Sequence, residues 1–283
     1  MTRSSGWSGR KLILLSRNNL NRFLAFWRHF SGANAINLTL VIFGILLVWT
    51  LISHALENPD RYLPSPIAVA LSSFDMVYEG LLPSYFGDTI ARLIVGSIFG
   101  LALGIPFGLI LGINRTVADM FYPMMNFFQS ISGIAIFPIV VVWFGNSDKT
   151  IFIVILYTSF FPIAFTVLSG VREIPMKYIH AVRTLGGSRF QIVRDVLLPG
   201  SLPHIATGSR LSIGFAWRAV IAGEMLAGRE GLGWMIFTAQ DVDKTSEVIL
   251  GMLLIGLSWI ILDHYLLRPF EADTIERWGL VQR

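Results

Sequence analysis

The hydrophobic positions of this chain gather into long runs separated by short polar stretches. The runs fall at about 36–56, 89–113, 120–144, 151–170, 211–227 and 248–267, the fifth being the weakest. A helix rises 1.5 Å per residue, so a run of about 20 residues crosses a hydrocarbon core about 30 Å thick. Backbone exposed to lipid must satisfy its own hydrogen bonds, and for runs of this length that means helices. The pattern predicts an all-α polytopic membrane protein with a bundle of about six transmembrane helices over 36–267. Polar tails over 1–35 and 268–283 flank it. The first run starts late, is too long for a signal-peptide core and is followed by no small-residue cleavage site, so it predicts a retained span.

Finer patterns sit inside this layout. Gly96, Gly100, Gly104, Gly108 and Gly112 recur every fourth residue of span two. Glycine lets a second helix approach closely. A period of four advances about 40° per step, so the stripe is expected to wind round its helix and meet more than one neighbour. Pro106 predicts a kink there. The long stretch between spans one and two holds residues 65–78, which predict a short amphipathic helix at the membrane interface. Residues 231–240, GLGWMIFTAQ, are too short to cross. They read either as a re-entrant gate or as a packing element that closes the bundle.

Composition sharpens the picture. Of 283 residues 54% are hydrophobic and 14% charged, against about 25% charged in soluble domains. With no cysteine, disulfides, thiolate chemistry and cysteine-ligated metals are excluded. The five histidines show no metal-ligand spacing. The net charge of +4 reflects membrane topology, not nucleic-acid binding. With the N-terminus inside, sixteen lysines and arginines fall on the cytoplasmic side and five, Arg92 among them, on the outer side. That asymmetry predicts both termini in the cytoplasm.

It also places residues 180–203, HAVRTLGGSRFQIVRDVLLPGSLP, in a cytoplasmic connection between spans four and five. Pro175 fits a first helical turn, and Tyr178, Ala181, Val182 and Leu185 share an apolar face. Gly186 and Gly187 end that helix. Ser188 and Gln191 predict a capping box opening a second helix, which is expected to stop before Pro199. The elbow carries arginines outward and suits docking into a groove on a soluble partner.

The elbow resembles the signature of bacterial ABC importer permeases, E-A-A-x3-G-x9-I-x-L-P. Ala181, Gly186, Val196, Leu198 and Pro199 stand at its offsets, with His180 and Val182 replacing the glutamate and second alanine. YLPSP at 62–66, FPIVVVWFG at 137–145, WRAVIAGEMLAGREGLGWMI at 217–236 and ERWG at 276–279 are similar to the nitrate, sulfonate, taurine and bicarbonate group of these permeases. The resemblance implies a type I ABC importer permease-like bundle in the bacterial cytoplasmic membrane. It implies that His180, Ala181, Val182, Leu185, Gly186, Gly187, Ser188, Arg189 and Pro199 couple the bundle to ATPase subunits. It implies an extracytoplasmic substrate-binding protein and a second permease copy as further partners. The chain has no G-x4-G-K-[ST] phosphate loop. No cofactor is therefore expected in it, and ATP and Mg belong to the partner ATPases.

Seven polar residues inside the spans are candidates for lining a passage: Gln129, Ser130, Ser132, Thr158, Ser159, Arg218 and Glu224. Ionisable groups at membrane depth face protein or a water-filled cavity. Arg218 reads either as a bidentate donor to a small anion such as nitrate, bicarbonate or a sulfonate, or as a partner in an ion pair or a carbonyl-capping contact inside the bundle. Glu224, in the E-M stretch, is placed to hold the following loop through backbone N–H groups. A membrane enzyme would need a nucleophile and base in the membrane, and neither a Ser–His pairing nor G-x-S-x-G is present. An ATP-independent channel or secondary carrier is the remaining alternative, and it leaves the elbow unexplained.

Overall fold

The structure, a computed structural model, describes residues 32–277. The basic N-terminal tail up to residue 31 and the end of the ERWG stretch lie outside the described residues. Every regular element among the described residues is helical. They form two compact units, one ending at Pro66 and one starting at Ile67.

The first unit holds α1 (Gly32–Ala55) and the short α2 (Pro59–Tyr62). Leu40, Phe43, Ile45 and Leu51 of α1 are all exposed, as suits a helix solvated by lipid. Trp49 donates its indole N–H to the carbonyl of Pro64 at 3.0 Å.

The second unit opens with the expected amphipathic helix, α3 (Pro66–Tyr78), which buries Val69 and Met76 and exposes Ile67, Leu71 and Phe74. Then come α4 (Leu81–Ile113), α5 (Arg115–Ser130), α6 (Gly133–Phe144), α7 (Asp148–Glu173), α8 (Met176–Thr184) and α9 (Arg189–Ile192). After a π-helical turn at Val193–Leu197 follow α10 (Leu198–Ala227), α11 (Leu232–Asp241) and α12 (Thr245–Leu262). A second π turn, Asp263–Leu267, leads into α13 (Arg268–Arg277). Three stretches are long and apolar enough to cross a membrane, Leu81–Ile113, Asp148–Glu173 and Thr245–Ile275, and two bent helix pairs bring the number to five. The described part of α1 adds a shorter apolar helix, Thr39–Ala55, where the first span was expected.

The glycine stripe departs from expectation. Its five members meet one helix, α7, in the pairs Gly96–Ile155, Gly100–Ser159, Gly104–Ile163, Gly108–Val167 and Gly112–Val171. The offset between partners is constant. A repeat of four exceeds 3.6, so two helices keep it in contact by winding about each other in the right-handed sense. The drift that suggested several neighbours is absorbed by the crossing.

Two further differences concern where helices break and where they continue. The predicted third span is two helices, α5 and α6, bent by 91°. Ile131 and Ser132 are extended at the break. The Phe128 carbonyl accepts from the Ile131 N–H there, and the Tyr157 hydroxyl reaches the carbonyls of Phe128 and Ile131, adding a partner where the helical ladder is interrupted. The helix expected to stop before Pro199 instead runs on into α10, so the weak fifth span is one part of a much longer rod. A proline ring collides with the carbonyl four residues earlier. For Pro199 and Pro269 that carbonyl belongs to Asp195 and Tyr265, each inside a π turn, whose wider winding relieves the collision.

Arg210 ties α10 to the last helix. Its Nε and Nη2 donate to the two Asp263 oxygens at 2.6 and 2.9 Å, and Nη1 donates to Glu271 at 2.8 Å. The Thr207 hydroxyl also donates to Glu271, at 2.6 Å.

Candidate functional site

Three places carry the polar chemistry of the second unit. The first is a cavity of about 470 Å³ at the break between α5 and α6. It brings together Gln129, Ser130, Ser132, Thr158 and Arg218, from three separate helical stretches. Tyr157, Phe161 and Phe215 supply aromatic wall. The Ser130 and Thr158 hydroxyls already donate to carbonyls of their own helices, Asn126 and Val154, so toward the cavity they offer lone pairs. The side-chain donors left are Gln129, the Ser132 hydroxyl and the guanidinium of Arg218, the last being the one cation on the wall among the described residues. Arg218 stands 5.8 Å from the Phe215 ring centroid, and among the described residues no carboxylate pairs with it. Ser159 lies elsewhere, fully buried against Gly100 in the α4–α7 seam.

Glu224 also lies apart, in a second cluster where the start of α4, the start of α7 and the α10–α11 turn meet. Its side chain is fully buried. It accepts hydrogen bonds from the Thr89 hydroxyl, Arg92 Nη1 and the Gly233 N–H, each at 3.0 Å. Thr89 in turn accepts from the Leu232 N–H at 2.9 Å. The free N–H groups that open α11 thus end on a carboxylate and a hydroxyl, where the helix dipole favours negative charge. Gly231 sits at φ 111°, against the Glu224 carboxylate, and no Cβ fits there. Arg92 closes the cluster, contacting Asp148 at 2.9 Å and the Glu230 carbonyl at 2.8 Å. Sequence reasoning counted Arg92 with the outer-side charges, at the start of the second run, and gave it no partner. It is inside α4 with its side chain only 16% exposed. The signal was available, since a cation three residues into an apolar run needs a partner, and Glu224 was the buried carboxylate without one.

The third place is the elbow of α8 and α9. Gly186, at φ 80°, lets its N–H reach the Arg183 carbonyl while the Gly187 N–H reaches Val182, at 3.0 and 2.9 Å. These paired bonds close a helix through a left-handed residue. Ser188 and Gln191 form the predicted capping box. The apolar face is distributed differently from expectation. Val182 turns inward with Ile179, Ile192 and Leu197 onto the end of α7. Tyr178, Ala181 and Leu185 face outward, joined by Phe190, with Leu185 87% and Phe190 71% exposed. His180, Gly186, Ser188 and Arg189 are exposed beside them, and Pro199 is half-buried where α10 begins.

Residues 104–266, from the stripe of α4 to the end of the bundle, match the family described as the binding-protein-dependent transport system inner membrane component. The chain belongs to this family. It is 32% identical over 251 residues to the bicarbonate transport system permease protein of Synechococcus elongatus, covering 84% of this chain and 87% of that one. It is 28% identical to the taurine transport system permease protein of Escherichia coli, over 81% of this chain and 85% of that protein. Identity to the nitrate import permease protein of Leptolyngbya laminosa is 30%, over 80% and 83%. The bundle superposes on a chain of the MetNI methionine ABC transporter in an inward-facing conformation. The TM-score is 0.58 at 21% identity, covering 70% of this chain and 96% of that one, which establishes the type I permease fold. This ABC importer permease is a multi-pass protein of the inner membrane.

Proposed function

We propose that this permease, as a pair of copies, forms the pathway of an ATP-driven importer for a small organic or inorganic anion. An extracytoplasmic binding protein delivers the anion, and ATP and Mg act on separate ATPase subunits docked at the elbow. Both termini and the elbow then face the cytoplasm, a placement supported by the excess of basic residues on that side.

The observation that carries the reading is the elbow. Two short helices are pinned inward by Ile179, Val182 and Ile192 yet hold Leu185 and Phe190 out in the open. Large apolar side chains held out on a rigid, doubly capped turn suit a groove on another protein. The helix that follows is continuous through the π turn into α10, which also carries Arg218. A push on the elbow therefore moves a wall of the cavity. Leu185→Asp tests this. Leu185 makes little use of its own fold, so the variant is expected to insert and melt like the wild-type chain but to lose most ATPase stimulation in the assembled transporter. Full stimulation would end the proposal. Gly186→Glu is expected to behave likewise, with some added strain from the left-handed backbone.

The anion is supported by Arg218, a guanidinium on a cavity wall without a carboxylate beside it among the described residues. It offers a forked donor to nitrate, bicarbonate or sulfonate oxygens. The relatives that transport bicarbonate, taurine and nitrate point to the same class. Arg218→Gln is expected to cut the uptake rate roughly tenfold or more, the worth of one charge-assisted hydrogen-bond pair, while ATPase subunits still assemble. Unchanged uptake kinetics would remove Arg218 from the pathway.

A further inference from the structure

A second cavity, of about 520 Å³, lies between the ends of α4 and α7 and the inner side of the α8–α9 elbow. Arg115, Arg172, Arg183 and Arg189 line it, and no acidic residue does. Arg172 has a long contact to Asp119, 3.9 Å. Among the described residues no carboxylate pairs with the other three. The rest of the wall is apolar and includes four isoleucines, Ile113, Ile174, Ile179 and Ile192. The geometry points to a binding site for the phosphate headgroup of an anionic phospholipid, with the start of its acyl chains on the isoleucines.

The physical case has three parts. Four like charges around one volume repel one another unless an anion stands among them. Guanidinium forks match phosphate oxygens in pairs. The depth is right as well, because Ile113 ends α4 and Arg172 lies in the last turn of α7. Both are ends of membrane-crossing helices, where headgroups lie and where basic pockets between helices take them. A free oxoanion would satisfy the arginines but leave the isoleucine wall wet, whereas a phospholipid covers both. The bound lipid would brace the elbow from behind, on the side opposite Leu185 and Phe190. The inference does not depend on the cargo or on ATP coupling, so it can fail while the import reading stands.

The full-length chain, purified in a neutral detergent, is titrated with short-chain phosphatidylglycerol, with phosphatidylcholine and with inorganic phosphate. Thermal melting and lipid retention in native mass spectrometry are the readouts. Phosphatidylglycerol is expected to be retained and to raise the melting temperature, and phosphatidylcholine is not. Arg115→Gln with Arg172→Gln is expected to weaken phosphatidylglycerol binding about tenfold or more. Arg115→Gln alone, an exposed position, is expected to give a smaller loss and covers the case in which the double variant folds poorly. Arg194→Gln, outside the cavity wall, is expected to keep wild-type binding. Equal effects of the two lipids, or full binding by both cavity variants, would overturn the site. Stabilisation by inorganic phosphate equal to that by phosphatidylglycerol would overturn the lipid as its source.

Discussion

Glu224→Ala is expected to destabilise the bundle by about 3–5 kcal/mol, the cost of stranding one partner of a buried ion pair. The carboxylate gathers three donors from two helices, Thr89 and Arg92 of α4 and Gly233 of α11. Its removal leaves Arg92 near-buried without its inner partner and frees the N–H groups that open α11. Asp148 cannot compensate, because it is 76% exposed and a surface pair contributes about 1 kcal/mol or less. Equilibrium unfolding in mixed micelles measures the loss, and Asp148→Ala should shift it little. The double variant Arg92→Leu with Glu224→Leu should recover a large part of the stability, since an apolar pair removes the stranded charge. A double variant as unstable as the sum of its parts would show that the two residues act independently and that the cluster is misread.

Gly108→Leu carries the second large effect. A methyl group at Gly108 would lie 2.5 Å from the Ala164 carbonyl oxygen and 2.8 Å from Val167 Cβ. The first obstacle is backbone, so no side-chain rotation relieves it, and the α4–α7 seam must open. Overpacking of a single site costs about 1–3 kcal/mol, and a leucine against backbone belongs at or above the top of that range. Helix propensity alone predicts the opposite sign, because leucine is better than glycine by up to about 1 kcal/mol in a helix interior. Gly256 in α12 serves as the comparison, because a methyl group placed there would meet no atom within 4 Å. Gly256→Leu should be neutral or slightly stabilising in the same unfolding assay, while Gly108→Leu should lose folded protein. Similar behaviour of the two would mean that the seam is loose.

The elbow was the most legible part of the functional surface, because its signals are local. Gly186 and the Ser188–Gln191 box act within one or two helical turns, and the structure realises both of them. The inward face was less legible. Tyr178, Ala181, Val182 and Leu185 fit one helical face on paper, but only Val182 faces the bundle. Which side of a short amphipathic helix turns inward depends on the helix it meets, here the end of α7. The same limit applied to the polar residues of the spans. Hydropathy marked Gln129, Thr158, Ser159, Arg218 and Glu224 as unusual, and it could not sort them into a cavity wall, a helix seam and a buried ion pair.

The sequence by itself determined that the chain is a helical membrane bundle and where its apolar runs lie, because lipid imposes length and local hydrogen bonding on every span, and it determined where the elbow turns, because glycine and capping signals act within a helical turn or two. Only the folded bundle decided that Arg92 belongs to Glu224, that the glycine stripe serves a single neighbour, that the third run is broken at Ile131–Ser132, and that the rod continues through Pro199. Each of these depends on a contact between residues far apart in the sequence or on a ladder rearranged to admit a proline, and neither leaves a mark in the local pattern of polar and apolar positions.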